Sequence, residues 1–126
     1  MSARILIVDD NPLNLKLAAD VLASEGFVVD QARDANEART ILGNRLPDLI
    51  LMDIAMPGMD GLTLTRLLKA DARFSEVPIV ALTASAMKGD DEKALAAGCV
   101  GYIAKPVDTR TFSRLVGEFL SGWASK

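Results

Sequence analysis

The strongest constraint on the fold is an alternation of short apolar runs with longer stretches of helical spacing. The short runs are rich in β-branched residues, which is typical of buried strands. They occupy residues 5–8, 27–29, 49–52, 78–82 and 100–103. Strands that alternate with helices predict a parallel sheet covered on both faces, and right-handed crossovers make such a sheet doubly wound. We therefore expect an α/β fold in which residues 1–126 form one domain, with no output domain.

Helix-start and helix-stop signals lie between the predicted strands. Asn11 before Pro12 is typical of a capped helix start, and Gly26 is typical of a stop. Further start signals are Asp34, Asp60-Gly61, Gly89 followed by three acidic residues, and Asp108 or Thr109. These signals predict five helices, one after each strand.

Composition excludes several classes of function. The 126 residues include no histidine and one cysteine, and the net charge is −3. Histidine-based catalysis and metal sites with several cysteines are therefore excluded. The acidic balance argues against nucleic-acid binding, and the first apolar run is too short for a membrane span or signal peptide. We expect a cytoplasmic protein that contacts neither nucleic acid nor membrane.

Polar residues follow the predicted strands at the point where each strand ends. Asp9 and Asp10 follow the first strand, Asp53 the third, Thr83 the fourth and Lys105 the fifth. In a parallel sheet these ends meet at one edge, where ligands bind. Clustered carboxylates repel one another unless a cation intervenes, and Mg²⁺ accepts carboxylate ligands. A carboxylate can also act as a nucleophile that forms an aspartyl-phosphate, with lysine offsetting the charge.

Each of these residues alone also has an ordinary structural explanation. Asp9 and Asp10 could cap the following helix, and Asp53 could be a turn residue. Thr83 could be a loop hydroxyl, and Lys105 a solvated surface charge. Their joint occurrence at strand ends on one predicted edge favours a functional site.

The chain resembles the response-regulator receiver domain of two-component signalling over nearly its whole length. The motifs that carry the resemblance lie at residues 5–11, 47–53, 56–61, 81–84 and 105–106. Residues 86–90 are similar to the single-domain DivK-like group and to receivers of hybrid kinases. The resemblance implies a flavodoxin-like five-stranded parallel sheet with strand order 2-1-3-4-5 and five helices.

The resemblance also implies a phosphorylation and metal site. Asp53 matches the phosphoacceptor. Asp10 and Asp53 match direct Mg²⁺ ligands, Asp9 a ligand that acts mainly through water, and the backbone carbonyl of Ala55 a third protein ligand. Mn²⁺ is expected to substitute for Mg²⁺.

The remaining site residues are assigned to phosphate contacts and to switching. Lys105 matches the lysine that pairs with phosphate, and the backbone amide of Ala84 offers a further hydrogen bond. Thr83 matches the switch hydroxyl and Tyr102 the aromatic switch position. The expected function is acceptance of a phosphoryl group on Asp53 from a histidine kinase or histidine phosphotransfer protein. A downstream protein target would bind the fourth helix, the fifth strand and the fifth helix.

Other functions remain as alternatives to this phosphorylation switch. An interaction module independent of phosphorylation is compatible with the sequence. A phosphohydrolase with an aspartate nucleophile would need an acid two residues after the nucleophile, where Ala55 follows Asp53. A flavin or nucleotide carrier would need a glycine-rich first turn, which residues 9–12 lack. We expect a protein that is not an enzyme beyond its own phosphorylation and dephosphorylation.

The first helix is a predicted docking surface for the phosphotransfer partner. At about 100° per residue, its inward stripe is predicted to contain Asn14, Leu17, Ala18, Val21 and Leu22. Leu13 and Leu15 are then predicted to flank this stripe near the acidic site, where they could dock a partner helix.

Overall fold

A computed structural model describes residues 3–54, 60–83, 89–105 and 108–124. Within these residues the chain forms strands and helices in strict alternation. The strands are β1 (Arg4–Val8), β2 (Val28–Ala32), β3 (Leu49–Asp53), β4 (Ile79–Thr83) and β5 (Gly101–Ala104). The helices are α1 (Pro12–Ser24), α2 (Ala35–Asn44), α3 (Gly61–Lys69), α4 (Asp90–Ala97) and α5 (Phe112–Ala124). Over the described parts of the chain, no helix combines the length and the apolarity that a membrane crossing requires.

The strands form one parallel sheet with the order β2-β1-β3-β4-β5. β3 and β4 are buried at every residue, and β1 at all but its first, because helices cover both faces of the sheet. The strand order reverses between β1 and β3, where open α/β sheets place their ligand sites. The predicted α/β, doubly wound sheet and its order are confirmed.

Helix boundaries follow the predicted caps closely. The Asn11 side chain accepts hydrogen bonds from the backbone amides of Leu13 and Asn14, which begins α1. Asp34 and Asp60 cap α2 and α3 in the same way. Each cap satisfies amides that the first helical turn leaves without a partner. α5 begins later than the predicted cap region: Phe112 donates its amide to the carbonyl of Asp108 after a turn.

Alternate residues of the strands enter two separate cores. On one face, α1 and α5 cover Ile5, Ile7, Leu49, Leu51, Val80 and Leu82. On the other face, α2, α3 and α4 cover Leu6, Val8, Ile50, Met52, Ile79 and Ala81. Burial of apolar surface on both faces stabilises the sheet and leaves its carboxyl edge for polar groups.

The orientation of α1 differs from the prediction. Its buried residues are Leu15, Ala18, Ala19 and Leu22. These positions recur at intervals of three and four, so they form a continuous apolar stripe against the β1, β3 and α5 core. The predicted stripe was displaced toward Leu17, which is 42% exposed. Leu15 is therefore a core residue, and its prediction as a docking residue is wrong. Leu13 is 78% exposed, and its docking role stays a prediction.

Candidate functional site

Three carboxylates converge at the carboxyl edge of the sheet, beside the point where the strand order reverses. One oxygen each from Asp9, Asp10 and Asp53 can be chosen so that all three lie within 4.8 Å of one another. The register explains this, because Val8 pairs with Met52 and the next residues are Asp9 and Asp53. The Asp9 amide also donates to the Ala32 carbonyl at 3.0 Å, which holds the residue beside β2.

The turn after β1 fixes the Asp9 carboxylate. Its Oδ1 accepts a hydrogen bond from the backbone amide of Asn11 at 2.9 Å, and the residue is buried. The helix cap itself is supplied by Asn11 and not by the acids. Asp9 and Asp10 are therefore available to the site, and their alternative explanation as helix caps does not apply.

Lys105 brings one positive charge to this cluster. Its Nζ lies 3.2 Å from Asp53 Oδ2 and 3.6 Å from Asp9 Oδ2. The Lys105 amide donates to the Thr83 carbonyl at 2.7 Å, so the backbone is held against β4 just beyond the end of β5. The Lys105 side chain is 15% exposed and those of the two acids 2%, which makes this a largely desolvated cluster rather than a surface ion pair.

The cluster holds excess negative charge. Burial raises the pKa of Asp9 above its ordinary value, and the neighbouring Asp53 carboxylate adds to this, whereas the Asn11 amide and the Lys105 ammonium oppose it. Asp10 is more open to solvent, and partial desolvation, followed by the nearness of Asp53, also raises its pKa. When all three carboxylates are ionised, they and the Lys105 ammonium carry a net charge of −2. One divalent cation would neutralise this charge.

Thr83 lies beside this cluster at the end of β4, and Tyr102 lies on the neighbouring strand β5. Asp53 pairs with Leu82 across the sheet, so Thr83 lies one residue further toward the carboxyl edge, and its side chain is buried. Tyr102 pairs with Ala81, two residues before Thr83, and is 41% exposed. Ile103 beside it is buried, as the predicted alternation between the two faces of the strand requires.

Two predicted backbone contacts cannot be compared with the structure, and one further residue has a contact that the sequence does not predict. Ala55 and Ala84 lie outside the described residues, so the predicted carbonyl ligand and phosphate-binding amide stay predictions. The sequence places Gly61 at a helix start and within the 56–61 motif, and it predicts no separate role for this residue. In the structure it lies against the backbone of Asp53, a contact that an Asp-Gly helix start does not reveal.

The chain is similar to receiver domains by sequence and by structure. Residues 5–116 match the family described as the response regulator receiver domain. The polar-differentiation response regulator DivK of Brucella ovis is 39% identical over 120 residues, which cover 95% of this chain and 98% of that protein.

Solved structures give the same result. A receiver domain of a sensor histidine kinase from Pseudomonas aeruginosa, with a magnesium ion coordinated in its active-site cleft, superposes with a TM-score of 0.86 at 36% identity, covering 96% of this chain and 99% of that one. A CheY-like response regulator receiver domain protein from Methanospirillum hungatei gives a TM-score of 0.88 at 30% identity, covering 99% and 98%. With its sheet order, its strand-end acids and these similarities taken together, the chain belongs to the response-regulator receiver-domain family.

Proposed function

We propose that Asp53 accepts a phosphoryl group from a phosphohistidine of a histidine kinase or histidine phosphotransfer protein, and that the modification switches a protein-binding surface. The observation that carries this proposal is the buried Asp53 carboxylate, with the Lys105 ammonium 3.2 Å from its Oδ2 and two further acids around it. A buried carboxylate with a cation beside it is suited to hold a transferred phosphoryl group.

The transfer exchanges one bond for another. An Asp53 carboxylate oxygen attacks phosphorus, the bond from phosphorus to the histidine nitrogen breaks, and the imidazole leaves with the electron pair and takes a proton from solvent. Lys105 lies where its ammonium can offset charge on the phosphoryl oxygens. The Thr83 hydroxyl and the Ala84 amide are the proposed further donors.

A divalent cation fits the donor set. Asp10 and Asp53 would hold Mg²⁺ directly, Asp9 mainly through water, and the Ala55 carbonyl would complete the protein ligands. Carboxylate oxygens are the ligands Mg²⁺ prefers, and the cluster lacks the two positive charges that the ion carries. When bound, the ion would neutralise charge on the transferring phosphoryl group. Mn²⁺ is proposed to substitute, because it accepts the same oxygen ligands.

The direct test is phosphorylation by acetyl phosphate with Mg²⁺, followed by intact mass. The wild type should gain one phosphoryl group, and Asp53→Asn should gain none. Asp48→Asn is the matched control, because Asp48 is also an aspartate beside β3 but at the opposite edge of the sheet, where its carboxylate accepts the Arg4 amide. Normal modification of Asp53→Asn would overturn the assignment of Asp53 as the acceptor. No modification of the wild type would overturn the proposal as a whole and favour an interaction module independent of phosphorylation.

The switch is proposed to run from Thr83 to the face formed by α4, β5 and α5. Leu95 on α4 and Tyr102 on β5 are 50% and 41% exposed, so this face offers apolar area to a partner protein. Movement of the Thr83 hydroxyl toward the phosphoryl oxygens would free space for the Tyr102 ring. The two states would pre-exist, and phosphorylation would change their populations.

Amide chemical shifts with and without beryllofluoride test this route. Wild type should show changes over residues 90–113, and Thr83→Ala should bind beryllofluoride but show smaller changes there. Equal changes in both proteins would exclude the route through Thr83 and leave the phosphorylation site unaffected.

The protein is also proposed to act in the cytoplasm and not to bind DNA. Sequence-specific DNA retention by the phosphorylated form would contradict the proposed absence of DNA binding.

A further inference from the structure

The first residue of α3 lies directly against the backbone of the phosphoacceptor. Gly61 is buried, and a Cβ built on it would lie 2.8 Å from the Asp53 carbonyl carbon and 2.8 Å from Ile54 Cα. It would approach the Asp53 carbonyl oxygen more closely still. These atoms belong to the backbone, so they cannot turn aside as the end of a flexible side chain can. Only a residue without a side chain permits this approach of helix to strand.

The strand side of the contact is held in place. Asp53 pairs with Leu82 at the end of β3, and the Ile54 amide donates to the Leu82 carbonyl at 3.3 Å. The Ile54 side chain is 8% exposed and belongs to the core under α2, α3 and α4. A shift of the Asp53 peptide would therefore strain the last bonds between β3 and β4.

The helix side is held as well. Asp60 Oδ1 accepts the Thr63 amide at 2.8 Å, and the Asp60 carbonyl accepts the Leu64 amide at 3.1 Å. Leu64 and Leu68 anchor α3 in the same core as Ile54. Because both elements are anchored, an added Cβ must displace the acceptor peptide, the start of α3, or both.

We propose that Gly61 is a positioning residue for Asp53: its bare Cα lets α3 fix the acceptor peptide, and with it the carboxylate that faces Lys105 and the other acids. The inference rests on the proposed phosphorylation of Asp53 and deepens it. The geometry at stake is the 3.2 Å approach of Lys105 Nζ to Asp53 Oδ2 and the convergence of three acids within 4.8 Å.

The other described glycines provide matched controls. A Cβ at Gly43 in α2 or at Gly117 in α5 would meet nothing within 4 Å. At Gly98 and Gly101 the nearest atoms belong to the side chains of Lys69 and Phe119. Of the seven glycines Gly26, Gly43, Gly61, Gly89, Gly98, Gly101 and Gly117, Gly61 is thus the one whose added Cβ would meet backbone closer than 3.0 Å.

The experiment compares Gly61→Ala with Gly43→Ala and Gly117→Ala. Three quantities are measured for each protein: the rate constant of phosphorylation by acetyl phosphate, the Mg²⁺ dissociation constant by titration, and the urea unfolding midpoint. Displacement of a reacting group by about 1 Å can cost roughly a hundredfold in rate. We expect Gly61→Ala to slow phosphorylation at least about tenfold and to weaken Mg²⁺ binding, while both controls match the wild type.

A background of higher stability protects the test from a failure to fold. Gly43→Ala and Gly117→Ala should each raise the unfolding midpoint, because alanine is the better helix former. Gly61→Ala is therefore also made in the protein that carries both control substitutions, and its fold is checked by amide chemical shifts.

The outcomes separate this inference from the proposed function. If wild type and controls are phosphorylated and folded Gly61→Ala reacts and binds Mg²⁺ equally well, the positioning role is wrong and the phosphorylation site stands. If the stabilised triple variant does not fold, the contact serves the fold and not the site specifically, which also overturns the inference. If wild type itself is not phosphorylated, the proposed function fails; wild-type Mg²⁺ affinity in folded Gly61→Ala then still overturns the positioning role.

Discussion

Charged residues lie near both ends of the sheet, but they differ in burial and in how far their charge is compensated. At the amino end of β1, Arg4 Nη1 pairs with Asp30 Oδ2, in the middle of β2, at 3.2 Å, and the Asp48 carboxylate accepts the Arg4 amide at 2.7 Å. In the Arg4–Asp30 pair, each side chain exposes about a quarter of its surface to solvent. At the carboxyl ends, three acids share one lysine, and Asp9 and Asp53 are almost fully buried.

The difference separates charges that are compensated within the fold from charges that are not. The amino-end groups satisfy one another within the chain, through one ion pair and reciprocal bonds between Arg4 and Asp48. In the carboxyl-end cluster, burial and then the nearness of Asp53 raise the pKa of Asp9 and Asp10, and the single Lys105 ammonium only partly offsets the negative charge. Unrelieved repulsion in a buried place is costly, so its presence at the ligand-binding edge favours a function there.

The largest expected effect is the response to Mg²⁺. Binding to the folded state alone should raise the free energy of unfolding by about 2.7 kcal/mol at a Mg²⁺ concentration a hundred times the dissociation constant. Asp10→Asn should lose most of this gain, because it removes a proposed ligand from the carboxyl-end cluster. Asp48→Asn, at the amino end, should keep it. Urea unfolding with EDTA and with saturating Mg²⁺ measures both, and a wild type indifferent to Mg²⁺ would count against the metal site.

The next effect concerns the basic side chains Lys105 and Arg4. Loss of one partner from a buried ion pair lowers the free energy of unfolding by roughly 3–5 kcal/mol. Because Asp9 and Asp10 can take up a proton, we expect a smaller loss of about 2 kcal/mol for Lys105→Met without metal. Arg4→Met at the amino end should cost less than about 1 kcal/mol, as more exposed pairs do. Urea unfolding in EDTA at neutral pH compares the variants. In saturating Mg²⁺ the stability difference from wild type should shrink for Lys105→Met and stay the same for Arg4→Met. Equal differences for the two variants would mean that the two ends of the sheet do not differ.

The comparison also shows which features the sequence could predict. β1, β3 and β4 were predicted within one residue because their continuous apolar runs are buried on both faces. β2 was predicted to end at Val29 but continues through Asp30 to Ala32, because an edge strand tolerates polar residues. The convergence of Asp9, Asp10 and Asp53 followed from the rule that parallel strands end at one edge.

Other features depend on tertiary distances that periodicity does not contain. The rotation of α1 that buries Leu15 depends on its packing against the core shared with α5. The contact of Gly61 with the Asp53 backbone depends on how closely α3 approaches β3. Local patterns specify that a helix begins at this glycine but not what lies beneath it.

The smallest expected effect is a change in how stability depends on pH in the metal-free protein. Because the folded state raises the pKa of Asp9, it binds that proton more tightly than the unfolded chain does. The stability associated with this proton is present at low pH and is lost as pH rises from the ordinary aspartate value of 3.8 through the raised value in the folded state. Asp9→Asn cannot ionise, and its side-chain oxygen can still accept the Asn11 amide.

The free energy of unfolding of Asp9→Asn, relative to wild type, should therefore increase as pH rises through this window in EDTA. Asp30→Asn should show no such increase, since it breaks the pair with Arg4 and relieves no repulsion. Urea unfolding at several pH values gives both differences. If the two variants gave parallel profiles, the negative charge of Asp9 at the carboxyl end of β1 would be no less compensated than that of Asp30 beside Arg4. The excess of acids would then have to be balanced within the folded protein, and the electrostatic reason for expecting a divalent cation at Asp9, Asp10 and Asp53 would be lost.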